Sequence, residues 1–211
     1  PRAYSWLNTT FSPPPLDQWM IYELHVGTFA GLNDPNGFPG LPSKFNDLNI
    51  RLTHLQELGV NVIELMPVNE FPLGLSAGYN PVSYFAIESE LGTPEDLKAL
   101  IDAAHRKGIA VIIDVVWNHM SPTDNLLNNF GGSQIYYGTP EQNTPWGWQL
   151  NYMNENVRSY IIDSARVWFE EYRIDGFRVD ATDYINIPGS VQEGAGWTLM
   201  QAINAQADNR H

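Results

Sequence analysis

The fold is decided by the segment IAVIIDVVWNH, which occupies residues 109–119. Its first five residues are apolar on both faces of an extended chain, as expected for a strand buried in a parallel sheet. Three other segments are also predicted as strands: residues 19–29, 60–68 and 176–181. The sequence therefore indicates an α/β protein with its strands in the interior.

Helical periods separate these strands. Four helices are predicted: residues 48–58, 94–107, 155–172 and a helix that begins near Thr198. Thr93 and Pro94 are typical of a helix start, while Gly59 and Gly108 are typical of the positions just past a helix end. The β-α order, repeated four times, predicts right-handed crossovers and a parallel sheet. A doubly wound open sheet and the first half of a closed barrel fit this order equally well.

One long segment, residues 120–153, has neither a strand period nor a helical period. It is rich in Asn, Gly, Pro and aromatic residues, including Tyr136, Tyr137, Trp146 and Trp148. Loops of this length inside compact domains are usually functional or disordered. We interpret the segment as a short loop domain inserted after the third strand, where its aromatic rings would either bind a ligand or pack on the fold.

The two ends of the chain predict its domain organisation. Residues 1–18 contain the run Pro13, Pro14 and Pro15 and are interpreted as a linker from an upstream domain. Residues 19–211 then form the predicted main domain, which we expect to be a fragment because neither end resembles a natural terminus.

Composition excludes several classes of function. A net charge of -13 and a pI near 4.6, without any cluster of Lys or Arg, argue against a nucleic-acid partner. The absence of cysteine excludes disulfides, thiolate zinc sites and a Cys nucleophile. No stretch predicts a membrane span, and composition leaves the compartment open.

Chemistry-bearing side chains lie at the ends of two predicted strands, where barrel enzymes carry their catalytic groups. Arg178 and Asp180 are two residues apart, so both side chains project to one face of a strand. A guanidinium favours the ionised form of a nearby carboxylate, which suits a nucleophile. A structural ion pair in the barrel interior explains the spacing equally well.

The other strand end carries Asp114, Asn118 and His119. Asp114 could fix Arg178 from the neighbouring strand, and His119 could donate a hydrogen bond to a substrate hydroxyl. A metal site is disfavoured because His119 has no second His or Cys at ligand spacing. We expect no cofactor, although Asn118 together with Asp124 or backbone carbonyls of the following loop could hold calcium.

These segments resemble the alpha-amylase family of glycoside hydrolases. Asp114–His119 is similar to its D-V-V-x-N-H motif, and Gly176–Ala181 to its G-F-R-x-D-A motif. Gly78–Pro81 is similar to the family segment whose Tyr stacks on the sugar to be cleaved. Ile21–Phe29 resembles the opening strand of glycogen branching enzymes and trehalose-releasing hydrolases. The resemblance covers roughly residues 19–185 and implies the first four strands of a TIM (β/α)₈ barrel.

The resemblance assigns a role to each of six residues: Asp180 as nucleophile, Arg178 as its electrostatic partner, His119 as a donor to a substrate hydroxyl, Tyr79 as the stacking platform, and Asp114 and Asn118 as supports. The general acid of the family is a Glu on the fifth barrel strand, and Glu64, Glu70 and Glu193 do not match it. We therefore expect the 211-residue chain alone to be inactive.

The implied activity is cleavage of α-1,4-linked glucan through a covalent glucosyl-Asp intermediate, with water or a sugar hydroxyl as acceptor. The parent protein would then be a glycoside hydrolase or a glucan branching transglycosylase. Its expected partners are an α-glucan and the remainder of its own barrel, without nucleic acid or membrane. The alternative is a non-catalytic, glucan-binding or transporter-associated relative of the same family.

Overall fold

A computed structural model of the chain describes residues 4–30, 42–72, 74, 76–125, 127–128, 130, 135–138 and 143–208. Its strands are β1 (Ile21–Leu24), β2 (Val62–Leu65), β3 (Ala110–Val115), β4 (His119–Met120), β5 (Trp148–Gln149) and β6 (Gly176–Val179). Its α-helices are α1 (Val26–Phe29), α2 (Phe45–Asn49), α3 (Leu52–Glu57), α4 (Pro94–Arg106), α5 (Glu155–Tyr172) and α6 (Ala195–Asp208). Short 3₁₀ helices cover Leu16–Gln18 and Thr182–Tyr184.

Four strands form a parallel sheet in the order β1-β2-β3-β6. Ile21 of β1 lies opposite Val62 of β2, which in turn lies opposite Ala110 of β3. All six residues of β3 are buried, as the continuous apolar run requires. The predicted α/β class with a parallel sheet is confirmed.

The chain divides into two compact units. The first comprises Pro1–Val68, Ile87–Asp114 and Tyr172–Arg178, and the second comprises Asn69–Ala86, Val115–Glu171 and Val179–His211.

In the first unit, apolar side chains from the sheet and from the N-terminal segment share one core. Val62, Ala110 and Ile112 are buried together, and Phe11 and Trp19 pack against them. Burial of such side chains is the main favourable term in folding. This packing orders the N-terminal segment against the sheet.

The segment predicted as a linker makes further contacts within the first unit. The carboxylate of the buried Asp102 accepts hydrogen bonds from the backbone N–H groups of Leu7 and Asn8 at 2.9 to 3.2 Å. The guanidinium of Arg173 lies 4.7 Å from the ring centre of Trp6, within the range of a cation–π contact. These residues are therefore fixed by specific partners.

The second unit contains the small antiparallel pair of β4 and β5, in which His119 lies opposite Gln149. The sequence predicted no strand in the long loop, because two-residue strands are too short to produce a period. Buried Gln192 holds this loop to the segment after β6: it accepts from the Tyr152 N–H at 2.6 Å and donates to the Leu150 carbonyl at 3.2 Å.

Several predicted boundaries are wrong by a few residues. The first predicted strand ends at Leu24, since Val26–Phe29 forms a helical turn in which the Phe29 N–H donates to the His25 carbonyl at 3.0 Å. The first predicted helix is divided into α2 and α3. The last helix begins at Ala195 instead of near Thr198. None of the helices in the described ranges combines the length and the apolar character of a membrane span.

Candidate active site

An ion pair with a buried carboxylate lies in the first unit at the end of β3. Arg178 Nη1 donates to both carboxylate oxygens of Asp114, at 3.1 and 2.9 Å. The Asp114 side chain is 0% exposed, whereas that of Arg178 is 44% exposed. Because an isolated charge is very costly to bury, a carboxylate at this position requires a charged partner, and the guanidinium supplies one. The suggested contact by which Asp114 fixes Arg178 from the neighbouring strand is therefore present.

Two glutamates near this pair were not placed in the site by the sequence. Glu23 of β1 and Glu64 of β2 are register partners. Burial raises the pKa of Glu64, and the negative charges of Glu23 and Asp114 raise it further, while Arg178 lowers it. The sequence feature that could have identified Glu64 is its position as an acidic residue within the apolar run of β2. Glu64 thus belongs to the charged environment of the Asp114–Arg178 pair.

Asp180 lies in the second unit, where its backbone and side chain are both held. Its N–H donates to the Val115 carbonyl at 3.0 Å. The Asn118 amide nitrogen donates to the Asp180 carbonyl at 2.8 Å and to its Oδ2 at 3.2 Å. Ala181 then adopts φ 42°, a left-handed conformation that is uncommon for a residue with a Cβ. This conformation turns the chain directly after Asp180, and the short 3₁₀ helix Thr182–Tyr184 follows.

His119 contacts Asn118 and Tyr79 in the same unit. Its Nδ1 meets Asn118 Oδ1, and its Nε2 lies 3.0 Å from the Tyr79 carbonyl oxygen. Burial lowers the pKa of His119, against the opposing effects of the Tyr79 carbonyl and the charge of Asp180. The second unit therefore brings together four of the six predicted site residues, but Tyr79 meets His119 through its main chain.

An exposed tryptophan lies beside His119. Trp146 is 51% exposed, with its ring centre 5.8 Å from that of His119 and 5.2 Å from that of Tyr184. Thr144 Oγ1 accepts from the N–H of Trp146 at 3.2 Å and from that of Gly147 at 3.1 Å, which fixes the turn.

Gly147 allows this turn to approach closely. A Cβ there would overlap the Met120 carbonyl oxygen and lie 3.0 Å from Cδ2 of His119. Sequence analysis named Trp146 only as one of several loop aromatics and missed Tyr184, because the turn has no periodic signal. Among the described residues, no three His, Cys, Asp or Glu side chains are grouped as a metal ion would require.

The chain matches one family model and is similar to several named relatives. The family model described as the alpha amylase catalytic domain matches residues 44–134 and 132–206. The malto-oligosyltrehalose trehalohydrolase of Arthrobacter ramosus is 40% identical over 211 residues, a match that covers 99% of this chain and 33% of the relative. A 1,4-alpha-glucan branching enzyme of Synechococcus sp. strain JA-3-3Ab is 35% identical, with 83% of this chain and 25% of the relative covered.

A crystal structure described as a putative alpha amylase from Salmonella typhimurium superposes with a TM-score of 0.82 at 37% identity. The match covers 97% of this chain and 32% of that one. The chain therefore spans a third or less of the length of these relatives. The predicted fold, part of a TIM (β/α)₈ barrel, is confirmed.

Proposed function

Because this chain belongs to the alpha-amylase family, we propose that the full-length protein cleaves α-1,4-glucosidic bonds with retention of configuration, through a covalent glucosyl–Asp180 intermediate. The observation that carries the proposal is the placement of Asp180. Its N–H, carbonyl and carboxylate are all hydrogen-bonded to Val115 and Asn118, so the side chain is held at the end of a strand. Such pre-organisation favours attack on a bound substrate.

In the proposed first step, an Asp180 carboxylate oxygen attacks the anomeric carbon as the bond to the leaving sugar oxygen breaks. A second carboxylic acid protonates that oxygen. Water or a sugar hydroxyl then attacks the anomeric carbon, gives its proton to the same group and releases Asp180. The resemblance places this acid on a fifth barrel strand.

The Asp114–Arg178 pair would serve the nucleophile electrostatically. Arg178 precedes Asp180 by two residues, and a guanidinium favours the ionised state of a nearby carboxylate. Asp114 fixes that guanidinium through two hydrogen bonds from one nitrogen. An ionised carboxylate is the form that can attack carbon.

The exposed ring of Trp146 is a second observation in favour of a sugar substrate. Trp146 keeps half of its surface exposed although the Thr144 turn holds it in place. A fixed, exposed indole face is suited to stacking against the apolar face of a glucose ring. Beside His119, such a face would help to hold a glucan chain at the site.

Water and sugar acceptors share the first step, so both a trehalohydrolase-like and a branching-enzyme-like activity are compatible with these residues. The relatives carry both names. Product analysis on malto-oligosyltrehalose and amylose would separate them: hydrolysis releases reducing ends, whereas branching creates α-1,6 linkages without a matching release.

The decisive experiment is Asp180→Asn in the full-length protein. We expect kcat to fall by at least ~10³-fold, because the amide cannot attack the anomeric carbon, with glucan affinity retained. A fluorinated glucosyl substrate should add its glycosyl mass to the Asp180 peptide of the wild-type protein only.

Asp163→Asn is the matched control, since Asp163 forms an exposed ion pair with Arg166 on α5. It should keep wild-type turnover. Undiminished turnover in Asp180→Asn, or a label on another residue, would refute the proposal. A wild-type protein that binds glucan without cleaving it would favour the non-catalytic relative instead.

A further inference from the structure

Two buried glutamine side chains in the second unit connect the long loop to the segment after β6. Gln149 and Gln192 are 1% and 2% exposed. The Gln192 side chain accepts from the Tyr152 N–H at 2.6 Å and donates to Gln149 Oε1 at 3.3 Å. Gln149 Nε2 in turn donates to the Tyr184 carbonyl at 2.6 Å. A continuous chain of hydrogen bonds therefore runs from Tyr152 to Tyr184.

The main-chain groups at the two ends of this chain fix both amide orientations. The Tyr152 N–H can only donate, so the oxygen of Gln192 faces it. The Tyr184 carbonyl can only accept, so the nitrogen of Gln149 faces it. The contact between the two side chains, from the nitrogen of Gln192 to the oxygen of Gln149, agrees with both orientations. Turning either amide around would bring like groups together at a buried position, which is costly.

The main chain of Tyr184 is held on two sides. Its N–H donates to the Ala181 carbonyl at 2.9 Å, within the short 3₁₀ helix that follows Asp180. Its carbonyl accepts from Gln149. The position from which the Tyr184 ring projects is therefore fixed.

The Tyr184 ring contacts the indole of Trp146. The two ring centres lie 5.2 Å apart at an interplanar angle of 69°, which is a favourable edge-to-face arrangement for aromatic side chains. The Thr144 turn fixes the main chain of Trp146, but the indole can still rotate about its side-chain torsions. Ring contacts with Tyr184 and His119 therefore determine where its exposed face points.

We propose that Gln149, oriented by Gln192, is a positioning residue: it fixes Tyr184, whose ring holds the Trp146 indole at the angle at which its exposed face receives a glucose ring. The binding of glucose rests on the proposed function, whereas the connection from Gln192 to Trp146 rests on contacts within the second unit. Because Gln149 acts through Trp146, its loss should weaken glucan binding and leave bond cleavage intact.

The connection can be measured without any substrate. The full-length protein is labelled with 5-fluorotryptophan, and Trp146→Phe assigns the ¹⁹F signal of Trp146. Gln149→Met removes the donor to Tyr184 at nearly constant size, and Tyr184→Ala removes the ring contact itself. Both variants should move the Trp146 signal. A Trp146 signal that stays in place in Gln149→Met would overturn the inference.

Asn125→Leu is the matched control, because the Asn125 amide also donates within the long loop, to the Ser121 carbonyl at 3.1 Å. It should leave the Trp146 signal in place. A shift as large as that in Gln149→Met would show that any lost amide in the loop disturbs Trp146, and it would refute the specific role of Gln149. If Gln149→Met does not fold, Gln149→Asn replaces it: the amide is one methylene shorter, so the contact with Tyr184 is lost, and the same outcomes apply.

Activity on amylose tests the second part of the proposal. Gln149→Met should raise KM ~3- to 10-fold and keep kcat within ~3-fold, as for a loss of uniform binding. In a Trp146→Ala background, the same substitution should change KM by less than ~2-fold, because the indole through which Gln149 acts is absent.

An undiminished rise of KM in the Trp146→Ala background would show that Gln149 acts by another route, and it would refute the positioning role. If the unaltered protein cleaves no glucan, the proposed function fails, and the ¹⁹F signal still tests the connection from Gln149 to Trp146.

Discussion

Two aspartates flank β6, one before the strand and one after it, and they have different surroundings. Asp175 accepts from the Val111 N–H at 2.7 Å and lies 2.8 Å from Nε2 of His105. Its side chain is 8% exposed. Asp180, after the strand, accepts at Oδ2 from the neutral Asn118 amide at 3.2 Å.

The difference separates residues that hold the fold from residues that can react. Asp175 links α4, β3 and the entry to β6, and the His105 ring in turn stacks on Phe11 with ring centres 4.2 Å apart. Its carboxylate is used in fixing these elements together. Asp180 follows its strand, at the end where barrel enzymes carry their chemistry, whereas the opposite end contributes stability.

Asp114→Asn is expected to produce the largest effect that bears on this comparison. Arg178 would lose its charged acceptor, so the guanidinium that the proposed mechanism pairs with Asp180 would no longer be fixed. We expect kcat to fall ~100-fold and the free energy of unfolding to fall by ~2 kcal/mol, since the Arg178 side chain is partly hydrated. Steady-state kinetics and urea denaturation of the full-length protein measure the two.

The exposed pair of Asp163 and Arg166 supplies the comparison variant for Asp114→Asn. Asp163→Asn should cost under ~0.5 kcal/mol, as exposed ion pairs do. Retention of kcat within ~3-fold in Asp114→Asn would show that the buried pair serves the fold alone, as Asp175 does.

Asp175→Asn, in contrast, should lower stability while the chemistry is kept. The Val111 N–H and His105 would lose a charged partner, and we expect the free energy of unfolding to fall by ~1–2 kcal/mol. Turnover per folded molecule should stay unchanged. A kcat that falls by more than ~10-fold at a temperature where the variant is fully folded would contradict the distinction between the two ends of the strand.

Much of the fold could be predicted because it depends on local patterns. The helical stripe gave the bounds 155–172, which are those of α5. The predicted ends of two strands lie too far along the chain. Val68 and Trp117 are buried, but they lie in irregular backbone after β2 and β3, so their apolar character alone did not show where each strand ends. Apolar residues in a sequence predict which positions are buried. The backbone conformation at the end of a helix or strand, in contrast, depends on tertiary partners.

The site could be predicted only in part, for a related reason. The spacing of Arg178 and Asp180 and their likeness to family motifs located the strand ends. The contact from Asn118 to Asp180 joins residues 62 positions apart and depends on which way an amide is turned. The main-chain contact between Tyr79 and His119 likewise has no side-chain pattern. Contacts of this kind require coordinates.

The smallest expected effect concerns pH and tests whether His119 belongs with the reactive end. Burial lowers its pKa below the ordinary value of 6.5, so the unfolded chain binds the proton more readily than the folded protein does. The free energy of unfolding should therefore fall as the pH drops below 6.5 towards the folded pKa, by at most ~1.4 kcal/mol per pH unit, and the contribution levels off below that pKa.

Urea denaturation between pH 5 and about 7.5 measures this contribution. The free energy of unfolding should depend less steeply on pH in His119→Gln than in the unaltered protein. If His119→Gln and the unaltered protein gave parallel curves, His119 would be equally ready to bind a proton in the folded and unfolded chain, and its contacts with Asn118 and Tyr79 would have to be reassigned.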